Sequence, residues 1–356
     1  MSAEGPQVEV VIACHSDRRA LPRAVASVLD GNAGPAKVTV VAHNIGADRL
    51  RSTLTAAHAE RVRWLELSDG TSSPANPYNL GTEQASAPWV SLLGSDDYLQ
   101  RGAVAAWLAL AEGTDAVITR LRHDDGRPVR TPPVRPFPHH FRNAVKDRLY
   151  YRSAPLGLMR AAFLRGQHLH WDANLNSGGD LRLSSLLWSA GKVAVQRRGP
   201  GYVIGADAAD RVTMRLAPIA DELSAIARAW NPDGWGWHLT GKERTALATK
   251  QLRVHFFGAA LYRATSEWKP GDREAIARLG SLVMRSAPKA AEPLSVADRR
   301  LLDALLDPSV PDREVDRLAL ARRRFGSPAT LVPRNLAYVL QREAPLRFMT
   351  ASALVG

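Results

Sequence analysis

The chain has 356 residues, enough for two domains or for one large domain with an appendage. Its single cysteine, Cys14, excludes an internal disulfide and a thiolate zinc cluster, and no apolar run is long enough to span a bilayer. A formal charge of +12 asks for an anionic partner, but the arginines are scattered and carry no zinc-finger, RNA-binding or basic-zipper spacing, so specific nucleic-acid binding is not expected.

Residues 8–13 are β-branched and nearly continuous, the pattern of a strand buried on both faces. A loop, Cys14 to Arg19, leads into apolar residues at helical spacing (Leu21, Ala24, Val25, Val28, Leu29), closed by Gly31 and Gly34. A second strand follows over 37–42, a helix over 47–59, and a third strand over 62–67. A helix over 80–87 precedes a short apolar strand at 90–93. Strands alternating with helices predict an α/β layered, mostly parallel sheet, which binds ligands beyond the carboxyl ends of its strands. Cys14, His15, Asn44 and Asp96 all fall there.

Further on, the spacing predicts a helix over 103–111 and a strand over 116–119. The proline-punctuated, basic stretch 124–142 reads as irregular. Residues 156–170 read as a helix, 181–190 as a buried helix closed by Gly191, and 192–196 as a short strand. From about Arg215 the β signals stop. An apolar stripe (Leu216, Ile219, Ala220, Leu223, Ile226, Ala227, Trp230) is followed by helical patterns over 245–265, from Ser295 through Leu306, and over 312–325. The division expected is an α/β domain over 1–212 and an all-α C-terminal domain over 213–356.

Two places carry chemistry. The strand at 90–93 ends on Gly94-Ser95-Asp96-Asp97, two adjacent carboxylates that a divalent cation or a cationic ligand group would keep ionised. The competing reading puts both acids in the first turn of the next helix. Gly178-Gly179-Asp180 sets a carboxylate where two glycines permit close approach, either as a base or as an ordinary helix N-cap before Leu181. The paired histidines His139-His140 and His168/His170 lack a third ligand at metal spacing. The cluster Trp230, Trp235 and Trp237 reads as a seal between the two parts of the chain rather than a sugar platform.

The order of these pieces resembles the inverting family 2 glycosyltransferases of the GT-A fold. Residues 8–29 look like their first strand, loop and helix. Tyr78-Asn79-Leu80-Gly81 and the stretch to Asp97 resemble their "Asn-x-Gly … strand … Asp-x-Asp" block, and Gly178-Gly179-Asp180 with the following helix resembles their catalytic segment. The resemblance covers roughly 7–205. It implies a GT-A (Rossmann-like) domain and transfer of a sugar from a nucleotide-diphosphate donor to an acceptor hydroxyl in cell-wall polymer, polysaccharide or other glycoconjugate synthesis. By resemblance, Asp180 is the base, and Ala13, His15, Asn44, Asn79, Ser95 and Asp96 surround the donor. Asp96 and Asp97 correspond to the metal position for Mg²⁺ or Mn²⁺, with Asp97 acting through water or capping the next helix.

Several residues depart from that pattern. Gly94 stands where the first acid of Asp-x-Asp would be, the Val41-Ala42-His43-Asn44 stretch lacks the usual acid after the second strand, and Tyr78 replaces an arginine. No histidine follows in 201–211. These departures motivate the alternative, a catalytically inactive GT-A-like protein that binds a nucleotide or glycan or recruits a partner. The charge suits an anionic or lipid-linked acceptor. With no signal-peptide pattern after Met1, a cytoplasmic location with peripheral contact at the inner face of the plasma membrane is expected.

Overall fold

A computed structural model describes residues 5–136, 139–175, 177–206 and 217–354. The expected boundary at 212/213, Leu216 of the apolar stripe and part of the 201–211 stretch lie outside the described residues. The first half of the α/β region runs β1 (Val8–Cys14), α1 (Leu21–Leu29), β2 (Ala36–His43), α2 (Ala47–Arg51), α3 (Ala56–Ala59), β3 (Val62–Leu67), α4 (Ala75–Glu83) and β4 (Trp89–Gly94). β1 pairs parallel with β2 and with β4, and β2 with β3, so the carboxyl ends of all four strands meet at one edge. Alternate residues of β1 feed the two faces: Val10 and Ile12 pack with Val25, Val28 and Trp107, and Val11 packs on the other side. The buried Glu9 in the middle of this apolar run is satisfied by Thr39 Oγ1 (2.6 Å), the Ser86 amide (2.9 Å) and Lys37 Nζ (3.0 Å).

The chain continues through β5 (Tyr98–Leu99), α5 (Ala103–Leu108), β6 (Ala116–Ile118), β7 (Leu121–His123), β8 (Pro128–Val129), β9 (Gly157–Arg160), α6 (Ala161–Gly166), α7 (Asp180–Ala190), β10 (Val193–Val195) and β11 (Tyr202–Ile204). The main sheet has seven strands in the order β10-β6-β9-β4-β1-β2-β3, and β5-β11-β7-β8 form a smaller one.

Several helix boundaries differ from expectation. The helix over 47–59 is two short helices, because Ser52 and Thr53 hydroxyls bond back to the Arg49 and Leu50 carbonyls and Thr55 caps a new start at Ala56 by accepting from the His58 amide. The helix expected over 80–87 is α4, beginning just after Pro74. A Cβ on Gly81 would stand 2.4 Å from Val11 Cγ1, so the glycine lets α4 lie directly on β1. The helix expected over 156–170 opens instead as β9, antiparallel between β4 and β6. Gly157, at φ 123°, approaches Val117 so closely that a Cβ would sit 2.0 Å from its carbonyl oxygen, and helical geometry resumes only at Ala161.

The C-terminal part is helical, as expected: α8 (Ile219–Glu222), α9 (Ser224–Trp230), α10 (Gly241–Gln251), α11 (Phe257–Ala264), α12 (Asp272–Ser286), α13 (Val296–Leu306), α14 (Asp312–Ala321), α15 (Pro328–Leu331) and α16 (Pro345–Ala353). A capping box, Thr240 with Glu243, starts α10. The helix expected over 245–265 is α10 and α11 joined by a π-helical turn, Leu252–Phe256. Below the sheet the apolar core is continuous from Val11 and Leu187 through Trp230 and Leu247 to Leu301, Leu305 and Val315, so the helical part packs into the core of the α/β region. Trp230, buried and donating to Gln251 Oε1 at 2.6 Å, is a structural member of that core, with Trp237 edge-on against it. No helix among the described residues is long and apolar enough to cross a membrane.

Candidate active site

The strand-end edge holds two carboxylate corners and, between them, a half-buried tyrosine. At the far side of β2, Asn44 adopts the left-handed region (φ 57°), and its side chain ties down the loop after β3. It accepts from the Asp69 and Gly70 amides (3.1 and 3.0 Å) and donates to the Thr71 carbonyl (2.7 Å). Asp69 in that loop pairs with His43 Nε2 (2.8 Å) and accepts from Asn76 (2.6 Å) and from the Thr71 amide and hydroxyl. Burial opposes the charge on Asp69, yet the hydrogen bonds from His43, Thr71 and Asn76 outweigh it and hold the carboxyl well below the usual range. The acid missing after the second strand is thus matched by one after the third, pointing back at His43. Its signal in the sequence is the Ser68-Asp69-Gly70 turn closing β3.

Asp96 follows β4. Its carboxylate is bound by the Arg19 guanidinium from the loop after β1, and its carbonyl accepts from Arg23 of α1. Arg23 also stacks over Tyr98, 5.1 Å from the ring centre. Neighbouring Asp97 has both oxygens engaged, one by the Tyr202 hydroxyl and the other by the Gly205 amide (2.9 Å). Tyr202 in turn accepts from the Gly94 amide at 3.0 Å. A Cβ on Gly94 would stand 2.5 Å from Asp97 Oδ2, so the shortened motif has a local cause: the space of an acid side chain is taken by Asp97 and its tyrosine latch. Ser95 is buried beside Cys14, whose thiol burial pushes up, and His15 is exposed with Arg19 Nη2 3.4 Å from its Nε2. Ala13 is the half-buried residue of β1 and pairs with Gly94 across the sheet.

Tyr78 of α4 connects this corner to the next. Burial, and then the Asp97 and Asp96 charges, drive its hydroxyl far above the ordinary range, so it stays a neutral hydroxyl. Its ring meets Trp171 at 5.9 Å. Asn79, the next residue, clamps the same segment by donating to the Trp171 carbonyl (3.0 Å) and accepting from the Trp171 amide (2.8 Å). The clamp holds Asp172, whose amide donates to the Gly179 carbonyl at 2.9 Å and whose carboxylate pairs with Arg228 of α9.

Gly178 lies at φ 74° against Ala225, and a Cβ on Gly179 would stand 2.9 Å from the Asp172 carbonyl oxygen. The two glycines therefore bring the start of α7 against both the Trp171 segment and the helical part. Asp180 is the first residue of α7; the N-cap is Gly179, with no side-chain cap. The N-cap reading of Asp180 is thereby set aside. Burial raises its carboxyl, and the charge that counters this comes from Lys250 of α10. Lys250 and Asp69 were not anticipated from the sequence.

No cluster of three or more His, Cys, Asp or Glu residues placed to hold a metal exists among the described residues. Asp96 offers one carboxylate that already carries a cation, the Arg19 guanidinium. That donor set fits a Mg²⁺ or Mn²⁺ completing its shell with substrate phosphate and water, not one caged by protein alone.

No known family matches the chain by sequence, and no curated protein does. Solved structures match by shape. TarS 1–349 of S. aureus in complex with UDP-GlcNAc superposes with a TM-score of 0.70 at 14% identity, over 89% of this chain and 92% of that one. The same protein with UDP gives 0.66 at 14% identity over 89% and 91%. A longer TarS structure gives 0.67, with 88% of this chain covering 55% of it. The chain has the fold of TarS, a mixed sheet flanked by helices with a helical C-terminal region.

Proposed function

We propose that the chain is an inverting glycosyltransferase that moves a sugar from a nucleotide-diphosphate donor to an acceptor hydroxyl. The observations that carry this reading are a parallel sheet whose strand-end edge bears Asp96, bound by Arg19, and a second carboxylate, Asp180, raised by burial at the start of α7. The fold shared with TarS in its complexes with UDP-GlcNAc and UDP supports a nucleotide sugar as donor.

In this reading the α/β domain, 1–212, binds the donor. The loop after β1 (Ala13, His15), Asn44 and Ser95 line its site, with the base or ribose toward Asn44 and the Asp69–His43 pair. Asn79 acts on the donor side by fixing the Trp171 segment. Asp96 would hold a Mg²⁺ or Mn²⁺, which when bound would supply positive charge against the departing diphosphate. Asp97 supports it by fixing the turn through Tyr202. Asp180 accepts the acceptor hydroxyl proton as oxygen attacks the anomeric carbon from the face opposite the leaving group, and a desolvated carboxylate is a stronger base for this than a solvated one. The helical domain, 213–356, closes the acceptor side, and the cationic surface suits an anionic or lipid-linked acceptor at the inner face of the plasma membrane.

The test is direct. Purified protein is incubated with UDP- and GDP-sugars with and without Mn²⁺, and the released nucleotide and the anomeric configuration of the product are read by NMR. Inverted product or inverted free sugar is expected from one donor class. Absence of turnover together with calorimetric binding of a nucleotide would favour the non-catalytic alternative, and retention of configuration would overturn the mechanism.

A further inference from the structure

Arg152 is 3% exposed, and among the described residues no carboxylate meets it. Its guanidinium donates to two backbone carbonyls, those of Thr119 (2.9 Å) and Thr131, and its Nε has no partner. Carbonyls satisfy hydrogen bonds but carry no net charge, and a buried cation without a counter-charge is costly. Burial brings the group down to about 9, so it keeps its charge at neutral pH.

Arg152 lines a cavity of about 20 Å³ that opens beyond the ends of β6 and β10. β6 pairs parallel with β10, and β9 runs antiparallel to both β4 and β6. These ends therefore lie on the same sheet edge as Gly94, toward the opposite end of the strand order from Asn44. The other charged walls of the cavity are Arg120 and Arg197, and no acidic residue lines it. Half-buried Arg120 has no ion-pair partner among the described residues, and exposed Arg197 donates to the Pro136 carbonyl at 2.6 Å. Gln196, which also lines the cavity, is already committed: its side-chain oxygen accepts from Trp107, Thr119 and the Arg120 amide, and its nitrogen donates to the Pro200 carbonyl. Three guanidinium groups thus face a space whose walls hold nothing to neutralise them.

Size narrows the occupant. A cavity of this volume admits one guest of about the size of a water molecule. Water would satisfy Arg152 Nε and leave the charge unopposed, and a tetrahedral oxyanion is too large to enter whole.

We propose that this cavity binds a monatomic anion, chloride, as the counter-ion of Arg152, with Arg120 and Arg197 as its outer wall. Arg152 joins the end of β6 at Thr119 to the proline-punctuated stretch at Thr131, and its own carbonyl accepts from Trp188 of α7 at 2.9 Å. The bound anion therefore fixes that stretch and α7 against the strand-end edge. The site stands independently of the transfer reaction.

The experiment is a chloride-35 NMR titration of the full chain at constant ionic strength, with gluconate replacing chloride. Saturable line broadening is expected, displaced by bromide and not by phosphate at the same concentration. Arg152→Gln should weaken chloride binding by about tenfold or more, the loss of a charge-assisted contact. Arg324→Gln, which removes the same charge from an exposed site elsewhere, should leave it unchanged. The proposal is overturned by an absence of saturable broadening, by equal chloride affinity in Arg152→Gln and the native chain, or by phosphate displacing chloride as readily as bromide does. If Arg152→Gln does not fold, unchanged chloride affinity in Arg120→Gln overturns it equally.

Discussion

The two carboxylate corners of the cleft are built on opposite principles. Around Asp96 and Asp97 the carboxylates meet a guanidinium, a hydroxyl and an amide, which come from the loop after β1, from β11 and from the residue that follows β11, all within the α/β region. Around Asp180 there is desolvation and a single charge, and that charge arrives from the helical region. The first arrangement suits a group that must remain an anion through a reaction. The second suits one that must gain a proton and lose it again. The Asp96 corner is built within the α/β region, whereas the approach to Asp180, through Gly178 against Ala225, touches the helical part.

The contrast is broken most severely by Asp180→Asn. Removing a general base should lower turnover by roughly 10²–10⁴-fold, read as released nucleotide in the donor assay. Stability should move the other way. A carboxyl raised in the folded chain destabilises it where the unfolded chain is ionised, so at neutral pH the neutral amide should keep or raise the melting temperature, with the difference vanishing below about pH 4.

Asp96→Ala attacks the other corner. It removes a charge-assisted contact and leaves Arg19 without its carboxylate. Donor binding should weaken by roughly 1.5–3 kcal/mol, measured by calorimetry with UDP as probe, while the titration of Asp180 stays where it was. An effect on the Asp180 titration would show the corners to be one coupled unit.

Gly94→Ala sharpens the comparison within the donor corner. The new Cβ meets Asp97 Oδ2 at 2.5 Å, so the Tyr202 latch must shift, at a cost of about 1–3 kcal/mol in urea unfolding. Gly94→Asp should cost at least as much.

The smallest effect is expected at Asp69. Its carboxyl lies below the ordinary value in the folded chain, so its contribution is complete above the unfolded value of about 3.9 and is lost as pH falls below that. Asp69→Asn should therefore lose about 1 kcal/mol at neutral pH and flatten the acid side of the stability profile, as followed by thermal melts between pH 7 and 3.

Much of this was legible in the residues. The β-branched runs at 8–13, 37–42 and 62–67 and the Gly94-to-Asp97 end of the next strand mark a parallel sheet and its ligand edge, because buried parallel strands leave few alternatives in sequence. The glycines before Asp180 were readable as close-approach positions. What escaped is physical in kind. β9 begins at Gly157 and runs into a genuine helix, so its few apolar residues carry the helix's period rather than their own. Asp69 takes its meaning from His43 across β2 and β3, a contact made by register. Lys250 sits in Ala-Thr-Lys-Gln on a helix, where a lysine reads as a solvated face.

The π-helical turn at Leu252–Phe256 has a consequence for phase. On an α-helix, residues five apart do not share a face, and Lys250 with His255 would point in different directions. A turn closed by i to i+5 bonds takes more residues per turn and brings them together. It also offsets α11 from the rotation it would have as a plain continuation of α10. One half of the helix thus packs on the 149–151 turn of the α/β region and the other on α14, and deleting a single residue from the turn would rotate one half relative to the other.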